Sequence, residues 1–432
     1  MSKIAVGILC IVILFALLAL RMWVGLAMTA AGIVGLVIMR GCSGAWPLLF
    51  SSTFNNVCSY SLSVMPMFVL MGCVISETRI GSDLYDTMHK WLGHHKGGLS
   101  YATVLATGLL GAITGSQMTG AIVMSKVALP EMEKQNYKET LACGCIAAAS
   151  PLGILIPPST AFIVYGLLTE RSIGKLFISG IVPGLITIVV FFAAIFIICR
   201  KDPELGPALK EKFPLKVRLK ALVTILPIVI LFVVVMVFIY LGWTTATEAG
   251  AIGAFGALII TIANRQLTWQ KFRKSLRETA TLMGMIMLQM FGTYVFSVAL
   301  TFSGITTALG KVVIGLNAPK FVIIIAIIIL YMILGCFLPE FPMIMLTVPI
   351  LYPIVQQLGF DLIWFGVLIV VIMSIGMMTP PVGMIVFALS GIAKKPTGMI
   401  FKGVIPFLIA EVVVVVLLCA FPAIATWLPS IM

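Results

Sequence analysis

The stretch Gly153-Ile154-Leu155-Ile156-Pro157-Pro158-Ser159-Thr160 sets two adjacent prolines inside a long apolar segment, Tyr137 to Leu168. Proline removes an amide donor and its ring excludes the preceding helical turn, so the pair unwinds a helix that contains it. A second stretch, Gly376-Met377-Met378-Thr379-Pro380-Pro381-Val382-Gly383, interrupts Leu362 to Leu389 in the same way. A shift of 223 positions superimposes Gly153 on Gly376 and Pro157-Pro158 on Pro380-Pro381. The same shift carries Phe68 to Phe291, Gly81 to Gly304, Pro130 to Pro353, Gly180 to Gly403 and Pro183 to Pro406. Paired interruptions at matching places in two apolar halves point to a transporter site near the bilayer midplane.

Outward from each break, the segment before it is itself divided. Tyr101 to Leu129 is broken at Gly111-Ala112-Ile113-Thr114-Gly115-Ser116, and Val322 to Leu351 near Gly335-Cys336-Phe337-Leu338-Pro339-Glu340. Each piece is too short to cross a bilayer, the pattern of a re-entrant helical hairpin whose tip stops within the membrane. Ahead of the first hairpin come a span from about Leu62 to Ile75 and a more polar stretch, Ser76 to Gly98, suited to the interface. Ala280 to Phe302 and Gly304 to Ala318 are their counterparts; Ile178 to Cys199 and Gly403 to Leu428 close the two repeats.

Composition makes the class plain. Hydrophobic residues are 61% of the 432, charged residues 10%, and mean hydropathy is +1.17, far from a soluble composition. Runs such as Phe321 to Leu334 do not alternate as barrel strands would. The expectation is an all-α polytopic membrane protein of two inverted repeats, each with a re-entrant hairpin and a Pro-Pro-broken helix. Four parts follow: residues 1–60, a helical hairpin and amphipathic link (Gly41 to Tyr60); 61–199, repeat one; 200–279, basic loops and a linking helical hairpin; 280–432, repeat two. The run Ile4 to Leu20 has signal-peptide character, but Arg21 and a second run, Met22 to Met39, follow at once, so it is read as retained.

The net charge of +13 is clustered: Arg200 to Lys220 holds seven Lys or Arg and Arg265 to Arg277 holds five. The two intervening spans put both clusters on one side, which the positive-inside rule makes cytoplasmic. Repeat two therefore enters the membrane from the side on which repeat one ends, and Lys394-Lys395 with Lys402 falls on that side too. Anionic lipid headgroups account for the basic loops, and no basic soluble domain exists to bind nucleic acid. The chain has no HExxH, GxSxG or Walker A loop, and Gly304 to Lys311 only approaches the last. The nine cysteines show no CxxC, and the three histidines lie between 89 and 95. Neither an enzyme nor an ATP-driven pump is indicated, and no cofactor is expected. Thr245 and Glu248 have capping-box spacing, which is preferred to an ion-ligand role for Glu248.

Interrupted helices free carbonyl oxygens beside Ser and Thr hydroxyls, which suits a small hard cation such as sodium, while half-helix amino ends suit an anion. The first such constellation is Thr114, Gly115 and Ser116 with Gly153, Pro157, Ser159 and Thr160. The second is Gly335 with Gly376, Thr379, Pro380 and Gly383.

The strings GAITGSQMTGAIVMSKVALPEM (111–132), LGILIPPSTAFIVYG (152–166) and SGIVPG (179–184), with TTATEAGAIGA, LTVPILYPI and FGVLIVVIMSIGMMTPPVGM later, resemble the large membrane subunit of tripartite ATP-independent periplasmic (TRAP) transporters nearly end to end. The resemblance implies a bacterial inner-membrane transporter of elevator-type architecture, a small TRAP membrane subunit, a periplasmic substrate-binding protein, carboxylate-bearing solutes and sodium as coupling ion. It places sodium at Thr114 and Ser116 with the Gly153–Pro157 loop, and at Gly335 with Gly376–Thr379. Substrate falls between the tips, near Pro158, Ser159, Thr160, Pro381 and Gly383. The chain departs from the family at the second tip, where Pro339-Glu340 stands in place of a frequent aspartate. It also lacks four extra spans, so the small subunit is expected as a separate chain. A binding-protein-independent dicarboxylate or citrate carrier, an ion channel, and a structural subunit of a membrane complex are the rivals; proton coupling in place of sodium stays open.

Overall fold

A computed structural model describes residues 2–209, 212–315 and 319–432, and within these every regular element is a helix. The N-terminal hairpin is α1 (Lys3–Ala19) and α2 (Val24–Val57). Repeat one contains α3 (Val64–Ser76), α4 (Ile80–Leu92), α5 (Gly98–Thr114), α6 (Gln117–Lys134), α7 (Glu139–Ala149), the single turn α8 (Leu152–Leu155), α9 (Thr160–Thr169) and α10 (Ile173–Lys201). The linking spans are α11 (Leu215–Tyr240) and α12 (Ala246–Ala263). Then come α13 (Trp269–Ser303), α14 (Ile305–Gly315), α15 (Lys320–Gly335), α16 (Glu340–Gln357), α17 (Leu362–Met378), α18 (Met384–Ala393), α19 (Thr397–Ala420) and α20 (Ala423–Ser430).

The 223-residue shift holds helix by helix: it carries the start and end of α6 onto those of α16, and α7, α9 and α10 onto the starts of α17, α18 and α19 to within one residue. Six helices among the described residues are long and apolar enough to cross a membrane, or eight if two bent pairs each count as one. One bent pair is Tyr60–Ser76 with α4, turned by 67°; the other is Glu139–Leu155 with α9, bent by 40° at the first Pro-Pro. α3, the α7–α9 pair and α10 make three crossings and α11–α12 two more, so the second repeat starts on the side opposite the first.

Within α2 the backbone leaves helical geometry at Gly41, with φ +69° and ψ 170°, which divides Val24–Val57 into two helical stretches where the expected link begins. Two boundaries differ from expectation, the first being that α13 begins at Trp269 rather than at Ala280, so the basic residues Lys271 to Arg277 are helical. The last span stops at Ala420, where Phe421-Pro422 separates α20. The expected interfacial counterpart, Gly304 to Ala318, is α14 as far as Gly315, and its remainder, 316–318, lies outside the described residues. The expected helix cap at Thr245 is present: its amide donates to Glu248 Oε2 at 2.7 Å, and the Glu248 amide donates to Thr245 Oγ1 at 3.3 Å.

Membrane helices gain little from hydrophobic transfer when they associate, so close backbone packing at small residues carries much of the adhesion. α1 and α2 lie along α13, with Gly25 against Gly292. α7 meets α19 at Gly144 and Gly403, where a Cβ on Gly403 would stand 3.1 Å from Gly144 Cα. Polar ties join the repeats: the Tyr165 hydroxyl donates to Leu362 O at 2.6 Å, and Lys395 pairs with Glu139 at 2.5 Å and Glu133 at 3.1 Å. Those hydrogen bonds, Glu139 first, hold the Lys395 ammonium above the usual lysine range.

The face is set by the same contacts. Gly97 N donates to Gly206 O and Lys138 N to Leu205 O, so the base of the first hairpin sits on the basic 200–220 loop. Lys395, bound to the hairpin base, lies on that face, and the 241–247 turn between α11 and α12 lies opposite. With the exposed Cys42, Cys58 and Cys419 changed to serine, an impermeant maleimide should label Lys394→Cys only in inverted vesicles and Trp243→Cys only from outside intact spheroplasts. The reverse pattern would invert the assignment.

Candidate functional site

Each hairpin tip touches a broken helix through backbone. A Cβ on Gly153 would stand 2.7 Å from Gly111 Cα, and a Cβ on Gly376 would stand 2.8 Å from Gly335 Cα. Real Cβ atoms do not approach that closely, so these two crossings require glycine on both sides. They bring α5 against α8 and α15 against α17 just where each helix is interrupted.

At the first tip, Gly115 turns the chain with φ +63°, and Ser116 caps α6 by accepting from Thr119 N at 3.3 Å. Thr160 Oγ1 donates to Gly115 O at 2.9 Å, locking tip one to the start of α9. Thr114 is buried, and its carbonyl lies against Gly72 of α3. Ser159 is wholly buried; it caps α9 through Phe162 N and donates to the Ile154 carbonyl. Pro157 and Pro158 are buried with it, and the bond between them is cis.

The second tip is built differently. Pro339 occupies the helix-cap position of α16 with no side-chain cap, and Glu340 is the first helical residue. Thr379 ends α17, its Oγ1 donating to Ile375 O at 2.6 Å. Gly383, at φ +57°, folds its backbone over the Thr379 carbonyl, and Cys336 Sγ reaches Pro380 O at 3.4 Å. The Pro380-Pro381 bond is cis as well, but both prolines are exposed where their counterparts are buried.

The tips meet each other. Gln117 Nε2 donates to Glu340 Oε2 at 2.5 Å, and both residues are more than nine-tenths buried. They are the first residues of α6 and α16 and are separated by 223 positions, so the pair sits on the axis relating the repeats. Gln117 was not among the expected site residues, although the repeat offset, applied to Glu340, points to it.

A cavity of about 200 Å³ opens at this junction, lined by Gly72, Thr114, Gly115, Ser116, Thr160 and Glu340 among others. It shares Ser76, Thr119, Ile122, Glu278 and Leu282 with a vestibule of about 740 Å³ that also holds Glu77, Lys126, Lys274 and Arg277. Lys274 pairs with Glu77 at 2.6 Å. Lys126 and Arg277 have no ion pair among the described residues. α3 ends and α13 begins on the face of the basic loops, so the vestibule opens to that face. Thr114, Ser116 and Thr160 thus come together with Glu340 around one space. Gly153 and Gly376 support it from behind through the crossings to Gly111 and Gly335. Pro157, Pro158, Ser159, Thr379, Pro381 and Gly383 do not line it.

Chemically, Thr160 and Thr379 spend their hydroxyl protons on backbone carbonyls, which leaves oxygen lone pairs for a cation. Glu340 adds a carboxylate, while the amino ends of α6 and α9 present positive dipole ends at the same cavity. Gly153→Val and Gly376→Val should each lower stability by at least about 1–3 kcal/mol through overpacking. Gly391→Ala, in α18 with open space around it, should not. Gln117→Ala and Glu340→Ala should be non-additive in thermal unfolding by about 0.5–3 kcal/mol; additive losses would mean that the tip-to-tip bond carries no coupling.

Comparison with known proteins gives this geometry its context. The family model described as "Tripartite ATP-independent periplasmic transporter, DctM component" matches residues 11–424. A C4-dicarboxylate TRAP transporter large permease protein of Pseudomonas aeruginosa is 31% identical over 90% of this chain and 93% of its own. A sialic acid TRAP transporter large permease protein of Vibrio cholerae is 27% identical over 87% and 88%. An ectoine TRAP transporter large permease protein of Halomonas elongata is 30% identical over 95% and 96%. In fold, the crystal structure of the YdaH transporter of Alcanivorax borkumensis matches with a TM-score of 0.68 at 13% identity, covering 92% of this chain and 97% of that one. Family and relatives are permeases rather than enzymes, and with the apolar helices they place the chain as a multi-pass protein of the bacterial inner membrane. The chain belongs to the family of TRAP transporter large membrane subunits, the DctM component.

Proposed function

We propose that this permease imports a carboxylate-bearing organic anion, driven by the sodium gradient, with the solute delivered by a periplasmic substrate-binding protein. A small TRAP membrane subunit, supplied as a separate chain, completes the membrane complex. The observation that carries the reading is the cavity at which both hairpin tips meet, bordered by Thr114, Ser116, Thr160 and Glu340. Its hydroxyl and carboxylate oxygens suit a hard cation, and the amino ends of α6 and α9 suit a carboxylate. The vestibule sets Lys126, Lys274 and Arg277 against Glu77 and Glu278, an excess of one positive charge that favours passage of an anion toward the cytoplasm. The second ion locus is the end of α17, Gly376 to Thr379, held against Gly335. Substrate lies between the tips, with Thr160 facing it and Pro158, Ser159, Pro381 and Gly383 shaping the breaks.

In this reading the repeats alternate. The break of repeat one is buried and that of repeat two exposed, and a movement of the hairpins with their broken helices as one body, as in an elevator, exchanges which side the site faces. The small subunit and the N-terminal hairpin along α13 form the static frame.

The test is thermal unfolding of the purified membrane complex against sodium, with potassium and choline as ionic-strength controls. A ligand at about 100 times its Kd adds roughly 2.7 kcal/mol. A saturable rise specific to sodium is expected, reduced in Ser116→Ala and Thr379→Ala with folding retained. Absence of any sodium-specific rise in the parent complex would remove sodium from the scheme. Uptake into proteoliposomes without the binding protein would favour the self-sufficient carrier, and conductance without partners the channel.

A further inference from the structure

Glu411 is an acid in the middle of a membrane-spanning helix. It lies in α19 and is 2% exposed. Its Oε1 accepts from Ser374 Oγ at 2.5 Å, and its Oε2 is buried with no partner among the described residues. A charge held there without an ion pair is costly, and such residues in membranes are seldom idle.

The helices packed on α19 do not supply a counter-charge. They are α7, α10, α17, α18 and α20. Their titratable groups are Glu139, Cys143 and Cys145 on α7, and Lys175, Cys199, Arg200 and Lys201 on α10; α17, α18 and α20 have none. α19 itself adds Lys402 and Cys419. Glu139 is engaged with Lys395, the basic residues of α10 lie at its ends, and none of these groups bonds to Glu411.

Ser374 has one hydroxyl proton but two acceptors in reach, Glu411 Oε1 at 2.5 Å and Val371 O at 2.6 Å. It can donate to only one of them. When Glu411 is ionised, the proton of Ser374 points at the carboxylate. When Glu411 takes a proton from water, its own O–H donates to Ser374 Oγ, and Ser374 turns its proton to the Val371 carbonyl. The site thus has two hydrogen-bonded arrangements that differ by one proton. Ser374 stands two residues before Gly376, the glycine of the second tip crossing. α19 is also fixed to the start of α17 by Trp364 Nε1 donating to Leu418 O at 2.8 Å.

We propose that Glu411, with Ser374 as its switchable partner, is a proton-binding site of the second broken helix. The carboxyl must be neutral for α17 and α19 to move through the membrane interior, so a proton travels with the solute in addition to the sodium proposed above. The two requirements are separable.

The experiment is uptake by proteoliposomes of the complete complex with its binding protein, in two arms. At equal sodium on both sides, a one-unit acid step outside changes the ratio of protonated to ionised carboxyl about tenfold. Parent uptake should rise several-fold, and Glu411→Gln, neutral and of the same shape, should not respond. In the second arm, a sodium gradient at fixed pH should drive both proteins. A retained acid response in Glu411→Gln, or no response in the parent, would overturn the proton site. Loss of sodium drive alone would overturn only the sodium reading. Should Glu411→Gln not fold, Ser374→Ala keeps the acid and removes its partner: the midpoint of the pH profile should move, and an unmoved midpoint overturns the proposal. The infrared difference between the parent and Glu411→Gln should contain a protonated-carboxyl band, and its absence overturns the proposal.

Discussion

Backbone meeting backbone at two glycine pairs, Gly111 with Gly153 and Gly335 with Gly376, is the contact on which the architecture depends. A re-entrant hairpin ends in the membrane interior, where water cannot satisfy its polar groups. The tip is tolerated only if protein closes over it. With no Cβ in the way, each tip presses directly on an interrupted helix, and the freed polar groups of both find partners or face a shared cavity. Thr160 bonded to Gly115, and Cys336 reaching Pro380, are the local consequences. The residues proposed for sodium and solute lie at one of these crossings or within seven positions of it.

The repeats share a plan without sharing a surface. Break one is enclosed by α3, α5 and α10, whereas Pro380 and Pro381 of break two are exposed. Tip one supplies hydroxyls, Thr114 and Ser116; tip two supplies a proline and an acid. Two half-sites of unequal chemistry around one cavity can distinguish an ion from a solute, which two identical half-sites could do less well. The cations that flank the vestibule are found only on the face of the basic loops, so charge clustering and cavity opening agree about direction.

Much of this was legible in the residues. Pro-Pro pairs within apolar runs mark broken helices because proline chemistry is local, and a constant offset marks a repeat because duplication preserves spacing. The tips at Gly115 and Glu340 follow from those signals, and the capping box from the spacing of Thr245 and Glu248. Other features depended on which side of a helix faces inward, and an almost uniformly apolar helix carries no periodicity that tells. Glu411 reads as a lone acid in such a run, and only packing shows that Ser374 meets it. Ser159 reads as a hydroxyl beside a break, and only packing shows that it also caps α9.

The Gln117–Glu340 bond lies where the pseudo-twofold axis passes, between positions that correspond to each other. Had two identical chains assembled about that axis, each residue there would have faced its own copy. Two glutamates would have to share a proton or repel, and two glutamines would leave no acid at the centre. Joining both halves in one polypeptide frees the two positions to diverge, and a mixed pair becomes possible at the one point where symmetry forbids it. The centre of this protein thus carries an unlike donor and acceptor on the residue pair nearest the axis, an asymmetry that only a single chain holding both halves can encode.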